Sequence, residues 1–286
     1  MMETLPVTVV IPCGDNIETL RRSVFSVVNQ VAKPTQIIVV YNSSNPLPES
    51  LRDYLLSFKI LILEFPKLIG PSQARNLGLV TSGQEYIAFL DADDEWVPNK
   101  LLLQLNFMQE KSYSLSTTDF RVVDSVSAKT WKIHNGNYAK KDIQRRCHIG
   151  FGSTAMIRKN HGGQPLLFDE KLLRFEDWDF MLRSLNSSIK YGNLGLPLTI
   201  VNRLPSKNWK LAKSALLVFK EKHKNSDAWD RHLASGISLE KAVIKFRERN
   251  PFFVVNILFS LFMDFGQVAF YIRKFKVRLL GITGSK

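Results

Sequence analysis

With 286 residues, 45% of them apolar and 19 of them Phe, the chain is long and apolar enough to bury a full core and is not disordered. Its two cysteines, Cys13 and Cys147, form neither a disulfide framework nor a Cys/His metal pattern, and they suit a reducing compartment. The net charge of +13 is uneven: from Ser206 onward sixteen Lys/Arg face six Asp/Glu, so a nearly neutral body carries a strongly basic tail of the kind that meets an anionic surface.

In chain order, Met1-Met2-Glu3 leads straight into a strand with no basic flank or small-residue cleavage site, so no signal peptide is expected. Residues 8–12 (TVVIP) and 36–41 (QIIVVY) are β-branched runs of the buried-strand type. Between them Ile17, Leu20, Val24, Val27, Val28 and Val31 recur at helical spacing, and Asp15 with Glu18 predicts a capping box. Strand, helix and strand in this order make a βαβ unit, which closes right-handed into a parallel sheet. Residues 59–65 predict a further strand, 74–80 a helix and 86–90 another strand. Residues 97–108 predict a helix with Pro98 in its first turn.

Beyond residue 112 the runs become shorter and more polar, with strand-like pieces at 115–118 and 154–157. Residues 169–185 (DEKLLRFEDWDFMLRSL) read as a loop entering an amphipathic helix, and the pattern after Pro205 is helical and basic. In residues 251–272 (PFFVVNILFSLFMDFGQVAFYI), Asn256, Ser260, Asp264 and Gln267 line one side of an otherwise apolar helix. That stripe, flanked by KFRER and RKFKVR, predicts a helix lying in a membrane interface. The competing readings are packing on the catalytic body and a true span, which would strand Asp264 near mid-membrane.

The acids carry the chemistry. The strand at 86–90 ends abruptly in Asp91-Ala92-Asp93-Asp94. The carboxyl end of a buried strand is where an open α/β sheet exposes its ligand site. Hard oxygen ligands there suit Mg²⁺ or Mn²⁺ shared with a substrate's phosphates. The plainer alternative is that Asp93 or Asp94 caps the next helix. A second acidic group, Phe175-Glu176-Asp177-Trp178-Asp179, either does acid–base work or merely favours the positive end of the following helix.

Gly70, Ser72, Ala74, Arg75, Asn76 and Gly78, then Asp91, Asp93, Asp94, Trp96, Pro98 and Lys100, together resemble the signature of family 2 glycosyltransferases, over roughly residues 6–200. The resemblance implies a Rossmann-like α/β sheet of the GT-A type flanked by helices, and transfer of a sugar from a nucleoside diphosphate with inversion. By that resemblance Pro12, Cys13, Asn42, Arg75, Asp91 and Asp93 contact the donor. Asp93 would be the direct ligand of Mn²⁺ or Mg²⁺, with Asp91 beside it facing ribose or sugar. Asp177 would be the general base, and Glu176 would contact the acceptor. Two positions depart from the family's pattern, Gly14 and Tyr41-Asn42, where relatives commonly stack on and hydrogen-bond a uracil. Asn42 keeps an acceptor oxygen but adds a donor, which opens the site to another base or a shifted pose.

The expected organisation is a catalytic domain at 1–205, with a nucleotide-sugar half to about 112 and an acceptor half after it, then a basic amphipathic helical extension at 206–286. The expected activity is metal-dependent sugar transfer to a glycan or lipid-linked acceptor, in the cytoplasm at the inner membrane face, for surface polysaccharide or glycolipid synthesis. A nucleotidyltransferase would also need paired carboxylates, but Cys13-Gly14-Asp15-Asn16 is a poor phosphate-cradling loop. A catalytically impaired sugar-nucleotide binder is the other alternative. No nucleic acid is expected, since the tail's aromatics are not interleaved with its basic residues on a sheet. His134 and Asp119 are weaker candidates, for the metal or acceptor and for the acceptor side respectively.

Overall fold

Val7, Val9, Val10 and Ile11 are all fully buried, so the first strand is covered on both faces, as the centre of a helix-flanked sheet requires. The computed structural model describes residues 4–15, 17–67, 69–124, 129–133, 140–145, 151–160, 166–185, 187, 189–203, 209–226 and 229–264. The chain runs β1 (Thr4–Cys13), α1 (Leu20–Val28), β2 (Lys33–Asn42), α2 (Glu49–Ser57), β3 (Leu61–Phe65), α3 (Pro71–Thr81), β4 (Tyr86–Phe89), β5 (Glu95–Trp96) and α4 (Lys100–Glu110). It continues through β6 (Leu115–Asp124), β7 (Lys129–Ile133), α5 (Lys140–Arg145), α6 (Phe151–Thr154), β8 (Met156–Arg158), α7 (Glu176–Leu185) and β9 (Tyr191–Arg203). Helices α8 (Trp209–His223), α9 (Arg231–Arg247) and α10 (Phe253–Met263) follow.

The strands form one mixed sheet in the order β3-β2-β1-β4-β8-β6-β9-β5, with β7 paired to β6. Strands β3, β2, β1 and β4 are mutually parallel, and β8 enters antiparallel between β4 and β6. The chain winds from β1 outward to β3, then returns through α3 to place β4 on the other side of β1. Such a reversal, at the carboxyl ends of β1 and β4, is the usual ligand position in sheets of this kind. Cys13 and Asp91 follow or end those two strands. Helix α3 lies close on β1 because residue 78 is Gly: a Cβ there would fall 2.3 Å from Val10 Cγ1.

Several local expectations are corrected. The Asp15/Glu18 capping box does not form: α1 begins after Thr19 with no side-chain cap, and Asp15 instead accepts a 2.6 Å bond from the Ser43 hydroxyl. Pro98 precedes α4 rather than opening it, and its carbonyl accepts from the Val31 amide at 2.7 Å. The thirteen-residue β9 was not foreseen, because its Gly and Pro residues mask the strand pattern. It pairs parallel with β6 over most of its length.

By contacts the chain divides into two compact units, 1–138 with 148–206, and 139–147 with 207–286. The expected boundary near 205 placed all of 113–205 in the body, whereas residues 139–147 group with the C-terminal helices. In that second unit α9 and α10 form a hairpin. The polar stripe of α10 faces α9 and not water: Ser260 exchanges hydrogen bonds with Ser235, and Asn256 lies against Ser238. Asp264 is bound by both Arg145 and His232. Polar groups removed from water gain from a neighbouring helix's hydroxyls, which fixes the rotation of α10. Gln267 lies outside the described residues. Among the described residues no helix is long and apolar enough to cross a membrane.

Candidate active site

Helix α3 carries the first half of the motif, and each polar residue has a distinct task. Ser72 Oγ donates to the Leu172 carbonyl at 2.9 Å. The Asn76 amide donates to the Phe168 carbonyl and accepts from the Phe168 N–H, at 3.0 and 2.8 Å. These bonds tie the approach to α7 onto α3. Between them sits Arg75, almost wholly buried, 5.6 Å from the Phe168 ring centre. Its Nη1 donates to Glu176 Oε1 at 2.8 Å and its Nη2 to Asp91 Oδ1 at 2.7 Å. One planar fork thus joins the two acidic motifs, a geometry that a lysine's point charge cannot reproduce. Burial alone would favour losing the proton, but Asp91 and Glu176 outweigh it and raise the guanidinium's pKa.

The turn after β4 is held from several sides. The buried Ser23 hydroxyl lies 2.7 Å from the Ala92 carbonyl and 2.8 Å from that of Asp94. Arg22 and Asn202 both donate to the Asp93 carbonyl, at 3.1 and 2.9 Å. Asp94 does not cap α4. It is buried, accepts from Ser153 Oγ and from the Asn202 amide N–H, and so braces the turn. Burial, with Asp91 and Asp93 nearby, raises its pKa well above the usual carboxylate range. Asp93 has a different role. Its backbone is pinned while burial, and then the charge of Asp91, pushes its carboxyl up to about 6.

A buried Asp93 with the charge of Asp91 beside it forms a site that a cation would relieve. Asp91 gives Oδ1 to Arg75, which leaves Oδ2 for a further ligand. Among the described residues no cluster of three or more His, Cys, Asp or Glu side chains could hold a metal by itself. Two carboxylates and a substrate pyrophosphate is the donor set Mg²⁺ or Mn²⁺ uses when it is shared with a nucleotide. The residues therefore fit such an ion.

At the second motif, Phe175 has φ +65°, an uncommon conformation for a bulky residue, and its carbonyl accepts the Asp179 N–H at 2.9 Å to start α7. The three acids of that turn have separate fates. Asp179 is buried and paired with Arg183 at 2.8 Å, while Glu176 is held by Arg75. Asp177 accepts the Trp178 N–H at 2.7 Å and, among the described residues, makes no ion pair. Part of its surface still reaches solvent, yet the packing around it and the Glu176 charge push its carboxyl up to about 7. A carboxyl poised there suits a general base near neutral pH.

The strand ends at Cys13 and Asn42 are more closed than the sequence predicts. Asn42 is buried, donates to the Cys13 carbonyl at 3.1 Å and accepts from the Ile69 N–H at 3.3 Å, so both ends of its amide are engaged. It acts as a brace between β1 and the loop after β3. Cys13 is buried, and desolvation, then Asp93 and Asp15, push its thiol up to about 12, which keeps it neutral. Pro12 is partly exposed beside it. Asp119 is buried in β6 and accepts from Asn193 Nδ2 at 2.8 Å, a contact within the sheet. His134 lies outside the described residues.

Sequence reasoning missed Gly152 and Ser153. Ser153 Oγ accepts the Asp91 N–H at 3.1 Å, and its carbonyl accepts Trp96 Nε1 at 2.7 Å. A Cβ on Gly152 would lie 2.4 Å from Asp91 Oδ2 and 2.6 Å from Arg75 Nη2. The small residues in FGST were the available signal, since glycine admits close approach.

A family profile described as "Glycosyl transferase family 2" matches residues 8–161. An "uncharacterized glycosyltransferase" of Rickettsia bellii is 32% identical over 178 residues, which make up 60% of this chain and 25% of that protein. The chain thus spans only about a quarter to a third of the length of the first curated relatives it matches. An Escherichia coli protein named UDP-Glc:alpha-D-GlcNAc-diphosphoundecaprenol beta-1,3-glucosyltransferase is 26% identical over 162 residues, covering 55% of this chain and 62% of that protein. The crystal structure of S. aureus TarS 1-349 in complex with UDP-GlcNAc superposes with a TM-score of 0.62 at 15% identity, covering 90% of this chain and 80% of that one. At that identity the likeness shows the fold.

Proposed function

Because the chain belongs to glycosyl transferase family 2, we propose that it transfers a sugar from a nucleoside-diphosphate donor to a hydroxyl of a glycan or lipid-linked acceptor, with inversion at the anomeric carbon. The single observation that carries this reading is the fork of Arg75, which binds Asp91 of the strand-end acids and Glu176 beside Asp177 in one contact. It sets the strand-end acids on one side of a guanidinium and, on the other, the turn that carries Asp177 next to Glu176.

In this reading Asp93 and Asp91 hold Mn²⁺ or Mg²⁺, and the ion when bound neutralises charge on the departing diphosphate. Arg75 fixes Asp91 in place and adds positive charge beside it. Asp177 takes the proton of the acceptor hydroxyl as that oxygen bonds to the anomeric carbon, and the bond from that carbon to the diphosphate oxygen breaks. Opposed positions for base and leaving group are what inversion demands. Glu176, anchored by Arg75, orients the acceptor side.

The lipid-linked acceptor class draws support from the diphosphoundecaprenol substrate named for the E. coli relative and from the basic C-terminal unit. A surface-polysaccharide or glycolipid pathway at a membrane's inner face is proposed on the same two grounds. The test is donor hydrolysis or transfer by purified protein across a panel of sugar nucleotides, with Mn²⁺ or Mg²⁺ and with chelator. Turnover of one donor that stops in chelator and returns with metal is expected. Full activity in chelator would remove the metal from the proposal, and inertness to every donor would remove the transfer itself.

A further inference from the structure

Helix α10 is inside out for a helix in water. Its polar residues Asn256, Ser260 and Asp264 are turned onto α9 by the bonds to Ser238, Ser235 and His232. Leu239 and Val243 of α9 pack with Ile257 and Leu261 along the same seam. With its rotation so fixed, α10 and the residue before it present Phe252, Val254, Val255, Leu258, Phe259 and Phe262 outward; Phe262 is 86% exposed, Phe252 65% and Leu258 61%. A contiguous apolar face of this kind marks an interaction surface.

Charge identifies the partner. Lys241 and Lys245 stand one turn apart on α9, close enough to Lys220 of α8 that burial and then these two neighbours hold the Lys241 ammonium below its ordinary value. The sequence beyond the described residues adds Arg273, Lys274, Lys276 and Arg278. An outward apolar face in a region whose sixteen Lys/Arg exceed its six Asp/Glu matches a bilayer with anionic headgroups, whose acyl boundary takes the apolar side chains and whose phosphates take the basic ones.

We propose that α10 is the element by which this chain inserts into an anionic membrane interface, with its outward Leu258, Phe259 and Phe262 in the acyl boundary and its polar seam kept on α9. The inference rests on the reading that the protein works at a membrane surface, and it adds which face enters and how deeply. Each such side chain taken out of water favours the bound state by roughly ten- to hundredfold. Binding then has a part that salt does not screen, beside the headgroup attraction that it does.

Flotation of the full chain with phosphatidylcholine vesicles, with and without phosphatidylglycerol, at low and high salt, tests this directly. Wild-type protein should float with the anionic vesicles and retain part of its binding at high salt. The triple change Leu258→Ser, Phe259→Ser, Phe262→Ser should cut the salt-resistant part by about tenfold or more. The pair Lys241→Glu, Lys245→Glu should cut only the salt-sensitive part. A Phe262→Trp variant should gain fluorescence that brominated acyl chains quench. Donor hydrolysis in solution by the triple variant should match wild type, which separates this surface from the catalytic proposal.

Binding wholly abolished by salt would leave a protein adsorbed at the surface and end the insertion. No binding to any vesicle would end both. A dimer in light scattering that the triple change dissolves would make a second copy the occupant, and binding gained only on deleting 265–286 would make that segment the occupant. Either result overturns the proposal.

Discussion

In the N-terminal unit one guanidinium serves two carboxylates, those of Asp91 and Glu176, with Asp93 and Asp177 left over nearby. In the C-terminal unit the proportion is reversed: one carboxylate, Asp264, serves Arg145 and His232, with the Nη2 bond from Arg145 at 2.7 Å. The first arrangement is short of positive charge and raises the pKa of its spare acids, Asp93 to about 6 and Asp177 to about 7. The second is satisfied. Although burial opposes it, the two basic partners hold the Asp264 carboxyl below its usual value. Unbalanced charge at the end of buried strands marks a place where a ligand completes the electrostatics, and balanced charge at a helix end marks a brace.

The largest effect expected from breaking this contrast is at Asp177. Asp177→Asn should lower turnover by about 10²- to 10⁴-fold, the range for losing a general base, with donor affinity nearly unchanged in calorimetry. An equal loss of donor binding would make the residue structural. The pH profile sharpens the same point. Asp177 is protonated and idle below its value of about 7 and ionised above it, so kcat/KM should fall about tenfold per pH unit on the acid side and level off above. A flat profile through neutrality would contradict the assignment.

A smaller effect is expected at Gly152. A methyl group 2.4 Å from Asp91 Oδ2 and 2.6 Å from Arg75 Nη2 forces the carboxylate and the buried guanidinium to shift. Gly152→Ala should therefore raise the donor KM by roughly three- to tenfold and lower Tm, as disturbing a buried ion pair does. The smallest effect on activity is expected at Asp264. Asp264→Asn should leave donor hydrolysis intact and destabilise the C-terminal unit by about 1–3 kcal/mol, read in urea unfolding. In the wild type that contribution is complete above the ordinary Asp value of 3.8 and fades as pH falls through the lowered folded one. Loss of hydrolysis in this variant would show that the two units' electrostatics are not separable.

The strand at Tyr86, the acids that end it and the βαβ start were legible in the sequence, because apolar runs and their abrupt ends are local signals. The partners were not. Asn42 read as a base contact and proved a brace between the Cys13 carbonyl and the Ile69 amide. A helix cap was only the plainer alternative for Asp94, which instead holds Ser153 and Asn202. A side chain's donors and acceptors are visible in its letter, but which of them are already used depends on residues brought from elsewhere in the chain.

The sequence by itself determined the sheet's buried strands, the position of the acids at a strand end and the excess of basic charge after residue 205, since each follows from residue type and short-range spacing. Only the tertiary structure decided that Arg75 joins Asp91 to Glu176, 101 residues away, and that α10 turns its polar stripe inward onto α9. Periodicity shows that a helix has two faces but not which of them meets protein. That choice is settled by the hydrogen bonds and packing that another segment offers, and no local pattern records them.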